Sequence, residues 1–234
     1  MSKILSHTGN DVYIGHFQGD VMKKYAEIVE EFSQVKVKIT PRISVITNYT
    51  NKDEAITALQ LENSCMPYVN ACKNTEGKWT NVNKIRNYVD ALEQTVSEYS
   101  LLVDGYDVLF FKDLGEEFIE KFLCFNKKIL FNATKNNYPN FEIDKVENRD
   151  LLGEFKYLNA GVVFGKTEDL LAFYKEVLEK TKDDTIRNPW NSEQLYIRIV
   201  SNGKDYVSFD NECVLFQTFS KTSKAVCGNT IIIV

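Results

Sequence analysis

The chain has 234 residues, of which 44% are hydrophobic and 26% charged, with a formal net charge of −5. That is ordinary for a soluble globular protein long enough to form its own core, and it excludes a strongly basic nucleic-acid surface. No stretch approaches the roughly 20 apolar residues of a membrane span and no apolar signal core opens the chain, so the expected location is cytoplasmic.

Residues 1–39 read as a helical preamble. Asp20 stands as an N-cap before Val21, Met22, Tyr25, Ile28, Val29 and Phe32, which recur at helical spacing. Pro41 ends that segment and the β-branched run "RISVITNYT" follows as a strand. "NKDEAITALQLENS" reads as a helix capped by Asn51 or Asp53, "CMPYVNAC" as a short extended piece, and "KNTEGKWTN" as a polar loop anchored by Trp79. Ile85, Tyr88, Val89, Leu92, Val96 and Tyr99 then form one apolar helix face. "LLVDGYDVLFF" (residues 101–111) is an apolar strand run that carries two acids.

Beyond it, "DLGEEFIEKFLCF" returns to helix, with Phe118, Ile119, Phe122 and Leu123 on one side, and "KKILFNAT" is a strand. Residues 135–153 are polar and irregular. "KYLNAGVVFGK" is a strand interrupted at Asn159 and Gly161, followed by a helix capped by Thr167. "NSEQLYIRIVSN" is a helix ended by Gly203; "VSFDNECVLFQTF" and "NTIIIV" close the chain as strands. Strands alternating with helices give an α/β protein with a mixed, mainly parallel sheet flanked by helices. One domain, residues 40–234, follows the preamble. Five scattered cysteines, none in a C-x-x-C pair, read as buried or idle thiols rather than a zinc site.

In such sheets, ligands bind beyond the carboxyl ends of strands. Asp104 and Asp107 stand there, separated by Gly105 and Tyr106. Two close carboxylates repel unless a cation lies between them, and Mn²⁺, or Mg²⁺ as the alternative, accepts carboxylate oxygens. A pair of turn acids satisfying local N–H groups is the competing reading of the same spacing.

The segments "ISVITNYT", "NKIR", "LLVDGYDVLFF", "ILFNATKNNYP", "YLNAGVVFG", "SEQLY" and "FDNECVLFQTF" occur in this order over residues 42–234. In order and spacing they resemble the glycosyltransferase domain of the multifunctional procollagen lysyl hydroxylases, with collagen galactosyltransferases more distant. The resemblance implies a GT-A (Rossmann-like) fold, a UDP-sugar donor of the glucose or galactose class, Mn²⁺, and a hydroxyl acceptor on a glycan, lipid-linked carrier or protein. It makes Asp104 and Asp107 metal ligands, and Tyr106 the platform for the uracil ring. Thr47, Thr50 and Lys84 would contact the nucleotide. Tyr138 would border the sugar site, and Asn159 and Gly161 would line the sugar. Glu193 and Asp107 would be the catalytic acids.

The family's acidic stretch is reduced here to "NSEQ". Its third metal ligand is a histidine in a His-Gly-Asn-Gly segment expected just after "NTIIIV". Neither His7 nor His16 matches that segment, so a domain truncated at its C-terminal end is expected, or a site completed by water or another side chain, or a weakly bound ion. Two other classes compete. A haloacid-dehalogenase-like phosphatase would use Asp104 as its nucleophile. A non-catalytic nucleotide-sugar or carbohydrate-binding module would bind without turnover.

Overall fold

A computed structural model describes residues 4–5, 10–18, 21–74, 80–140, 153–219 and 232–233. Asp20, Trp79 and Cys227 lie outside the described residues, as does the stretch 141–152. The strands are β1 (Ile4–Leu5), β2 (Ile14–Phe17), β3 (Ile43–Asn48), β4 (Val69–Asn70), β5 (Tyr99–Asp104), β6 (Val108–Phe110), β7 (Ile129–Thr134), β8 (Tyr157–Lys166), β9 (Val207–Phe209), β10 (Phe216–Phe219) and β11 (Ile232–Ile233). The α-helices are α1 (Val21–Lys24), α2 (Ala26–Ser33), α3 (Ile56–Asn63), α4 (Asn83–Glu93), α5 (Glu116–Cys124), α6 (Thr167–Lys180) and α7 (Glu193–Ser201).

The main sheet has six strands in the order β4-β3-β5-β8-β7-β9. β8 runs antiparallel to both neighbours, and the remaining pairs are parallel. The sheet is therefore mixed and mainly parallel, as the alternation of elements predicts. Strand alternation divides its apolar residues between two cores. Val45, Leu101, Val103, Leu130 and Phe164 pack with α5 residues Phe118 and Phe122. Ile46, Leu102, Ile129, Phe131 and Val163 pack on the opposite face against α4, α6 and α7. A second sheet, β10-β2-β6, adds a third core with Phe17, Tyr25, Phe32, Phe111 and Phe219. Among the described residues no helix is long and apolar enough to cross a membrane.

Several sequence expectations need correction. The preamble is not wholly helical: Ile14–Phe17 is a strand, parallel to β10 and antiparallel to β6, with all four residues buried. Four residues are too few for a periodic signal. "LLVDGYDVLFF" is two strands in different sheets, joined by a turn at the acids. "VSFDNECVLFQTF" likewise divides into β9 and β10. α4 stops at Glu93, which leaves Val96 99% exposed and places Tyr99 in β5. Leu123 is exposed on α5. Thr167 is the first residue of α6, and its hydroxyl donates to the Ser97 carbonyl instead of capping the helix.

Asn51, not Asp53, caps the turn ahead of α3 by accepting the Asp53 N–H. β8 continues through Asn159 and Gly161, with a register shift: Phe131 pairs with Val163 but Asn132 pairs with Asn159. That shift is a β-bulge, which turns Ala160 and Gly161 out of regular pairing.

Candidate active site

β5 ends at Asp104 and β6 begins at Val108, so both acids lie on the connection between the two sheets. Gly105 is required there. A Cβ at this position would lie 2.5 Å from the Asn48 carbonyl oxygen and 2.9 Å from Tyr49 Cβ. Thr57 of α3 pins the turn, with its hydroxyl 2.9 Å from the Asp104 carbonyl and 2.7 Å from the Val108 carbonyl. β2 is stitched to the same turn by the Phe17 N–H, which donates to the Asp107 carbonyl at 2.7 Å.

That stitch brings His16 over the acids. His16 Nε2 lies 3.5 Å from Asp107 Oδ1 and 3.8 Å from Asp104 Oδ2. One ligand atom from each of the three residues falls within 4.8 Å of the others. Gly161, in the β8 bulge, makes this possible: a Cβ there would sit 2.3 Å from the imidazole Cε1. Gly161 therefore provides the hollow that His16 fills.

Lys84, in the first turn of α4, is buried. Its ammonium pairs with Asp104 Oδ1 and lies 3.2 Å from Glu193 Oε1. Burial works to lower the pKa of this lysine, but Asp104, Tyr88 and Glu193 outweigh it and hold the ammonium well above its usual range. His16 follows the same logic: burial lowers its pKa, Asp107 and Asp104 raise it, and the net shift is upward. Asp104 is raised, chiefly by burial and also by Asp107, with Lys84 opposing. The centre thus holds three carboxylates, one ammonium and one imidazole, and its excess of negative charge suits a cation.

These groups line a cleft of about 280 Å³. Tyr106, Lys84, Asp104, Asp107, Tyr138, Asn159, Gly161 and Glu193 all border it, so most of the expected site residues converge. Thr47 and Thr50 do not line it. Thr47 is fully buried; alternation along β3 directs Asn48 to the cleft instead. Thr50 acts at one remove. Its N–H donates to the Tyr106 hydroxyl at 2.7 Å and its own hydroxyl lies 2.9 Å away, which fixes the aromatic ring.

Sequence reasoning missed His16, Asn48 and Gln194, all of which border the cleft. His16 offers one weak signal, a histidine set between apolar residues in "YIGHF".

Residues 67–229 match the family model of the PLOD GT domain, a glycosyltransferase domain. No curated protein matches the chain. The mixed sheet flanked by helices is compatible with the GT-A fold, and glycosyltransfer displaces the phosphatase reading of Asp104. His16 lies outside the matched span but is built into the same centre by β2. The match covers well over half of the chain, which therefore belongs to the glycosyltransferase-domain family of the procollagen lysyl hydroxylase type.

Proposed function

We propose that this domain transfers a hexose, of the glucose or galactose class, from a UDP-sugar to a hydroxyl acceptor with the help of Mn²⁺. The observation that carries the reading is the convergence of His16, Asp104 and Asp107 on one point of the cleft floor. The donor set fits a divalent cation: one imidazole nitrogen and two carboxylates, seated in a hollow that a Cβ at residue 161 would fill. An imidazole in the set favours Mn²⁺ over Mg²⁺, which prefers oxygen ligands alone. When bound, the ion supplies Lewis-acid stabilisation of the departing diphosphate.

The chain's own residues divide the remaining work. Tyr106, braced by Thr50, presents a ring on which uracil stacks. The Lys84 ammonium, held charged among carboxylates, binds phosphate oxygens where negative charge grows. Asn159 accepts the Gly161 N–H at 2.9 Å, which shapes the bulge that meets the sugar. Tyr138 borders the sugar from the opposite strand connection. Glu193, on the same cleft wall, accepts a hydrogen bond from the acceptor hydroxyl and orients it. The acceptor class is a glycan, a lipid-linked carrier or a protein hydroxyl.

Release of UDP from UDP-glucose and UDP-galactose, with and without Mn²⁺, tests the proposal. The wild type should release UDP only with the ion, and Asp104→Asn should lower the rate by at least about a hundredfold. Tight UDP binding without turnover on a panel of hydroxyl acceptors would favour the non-catalytic module. Wild-type rates in Asp104→Asn would refute the metal assignment.

A further inference from the structure

One wall of the cleft is held together from α7. Gln194 and Arg198 stand four residues apart, so they share a helix face. Gln194 reaches two separate elements. Its Oε1 accepts the Ala160 N–H from the β8 bulge at 2.8 Å, and its Nε2 donates to the Tyr138 carbonyl. Arg198 is only 1% exposed. Its guanidinium donates to the Tyr138 carbonyl at 3.1 Å, the Pro139 carbonyl at 3.0 Å and Asn137 Oδ1 at 3.0 Å.

A buried guanidinium carries a desolvation cost of several kcal/mol, and here its partners include neutral carbonyls of one loop. Carbonyl contacts fix where a residue stands without depending on its side chain. What they fix here is Tyr138, a residue that remains 45% exposed beside the cleft. Gln194 ties that position to the bulge carrying Asn159 and Gly161, and it follows Glu193 directly in the chain.

We infer that Gln194 and Arg198 are positioning residues that set donor-sugar selectivity, by fixing Tyr138 and the β8 bulge at one separation across the sugar end of the cleft. The inference rests on the UDP-sugar reading above. On that reading the nucleotide meets other elements, β3, α4 and the turn carrying Tyr106, which also line the cleft, so UDP alone should not sense this distance. A sugar epimer that changes the direction of one hydroxyl does.

The test is calorimetric binding of UDP, UDP-glucose and UDP-galactose in Mn²⁺ buffer to wild type, Gln194→Ala, Arg198→Lys, Tyr138→Ala and the Tyr138→Ala/Gln194→Ala double variant. Gln194→Ala should weaken the preferred UDP-sugar about tenfold while UDP stays within about twofold, and the ratio between the two sugars should narrow. The double variant should lose less than the sum of the two single losses, because Gln194 acts in part through Tyr138. Arg198→Lys keeps the charge but not the planar fork, and should show a smaller loss of the same kind. Equal weakening of UDP and UDP-sugar, an unchanged sugar ratio, or additive losses in the double variant would overturn the inference. Failure of wild type to bind UDP would overturn the donor reading itself, and this inference with it.

Discussion

His16 can reach the two aspartates only because residue 161 has no side chain. The Gly161 Cα faces the imidazole so closely that any Cβ would stand 2.3 Å from Cε1. Gly161→Ala should therefore displace the imidazole and weaken Mn²⁺ binding by at least about tenfold, as read by titration calorimetry. Lys84 works in the opposite sense. Its ammonium pairs with Asp104 and stands where an incoming cation must compete. Lys84→Met should tighten Mn²⁺ binding measured without nucleotide and weaken UDP binding, each by several-fold. Unchanged Mn²⁺ affinity in that variant would mean the pair does not compete with the ion. At this scale the sequence was legible where residues lie close along the chain: Asp104, Tyr106 and Asp107 share one turn, and although their spacing alone suits turn acids as well as a metal pair, the ordered segments around them favour the metal reading. His16 was not, because its contact with Asp107 spans ninety-one positions and depends on a four-residue strand. Thr47 was misread for a simpler reason. The end of β3 was recognisable, but which of two adjacent residues faces the cleft depends on a register that only the neighbouring strands define.

At the level of elements, the connections carry as much of the design as the strands. Asp210, fully buried between β9 and β10, accepts three backbone N–H groups. Val214 donates at 2.9 Å, Leu215 at 2.7 Å and Phe216 at 2.8 Å. This carboxylate turns the chain from the main sheet into the second one. Asp210→Ala would orphan those donors and should cost roughly 3 kcal/mol or more in urea unfolding, with an unchanged slope. A loss below about 0.5 kcal/mol would show that the turn forms without it. The amphipathic pattern of α4 was legible in the sequence, but its end was not. The helix ends in a turn at Gln94, residues 95–98 are irregular, and Val96 continues the helical spacing while facing solvent. The bulge in β8 was partly legible, as an amide and a glycine in an apolar run. Its consequence, an Ala160 N–H available to Gln194, required the fold.

Across the whole molecule, period-two alternation in β3, β5, β7 and β8 divides the apolar residues between two cores, and this much follows from the sequence pattern. The small β10-β2-β6 sheet does not follow from it, because its three strands come from distant parts of the chain. It is nevertheless what completes the centre. β2 adds a histidine from the N-terminal region to acids at the junction of the two sheets, so the ion site proposed above depends on both sheets being in place. In the proposed site His16 is the third ligand. Titration of Mn²⁺ into the UDP-saturated protein, wild type against His16→Ala, measures that role. The wild type should bind the ion stoichiometrically, and His16→Ala should bind it at least about tenfold more weakly with the melting temperature little changed. Equal Mn²⁺ affinity in the two proteins would contradict it.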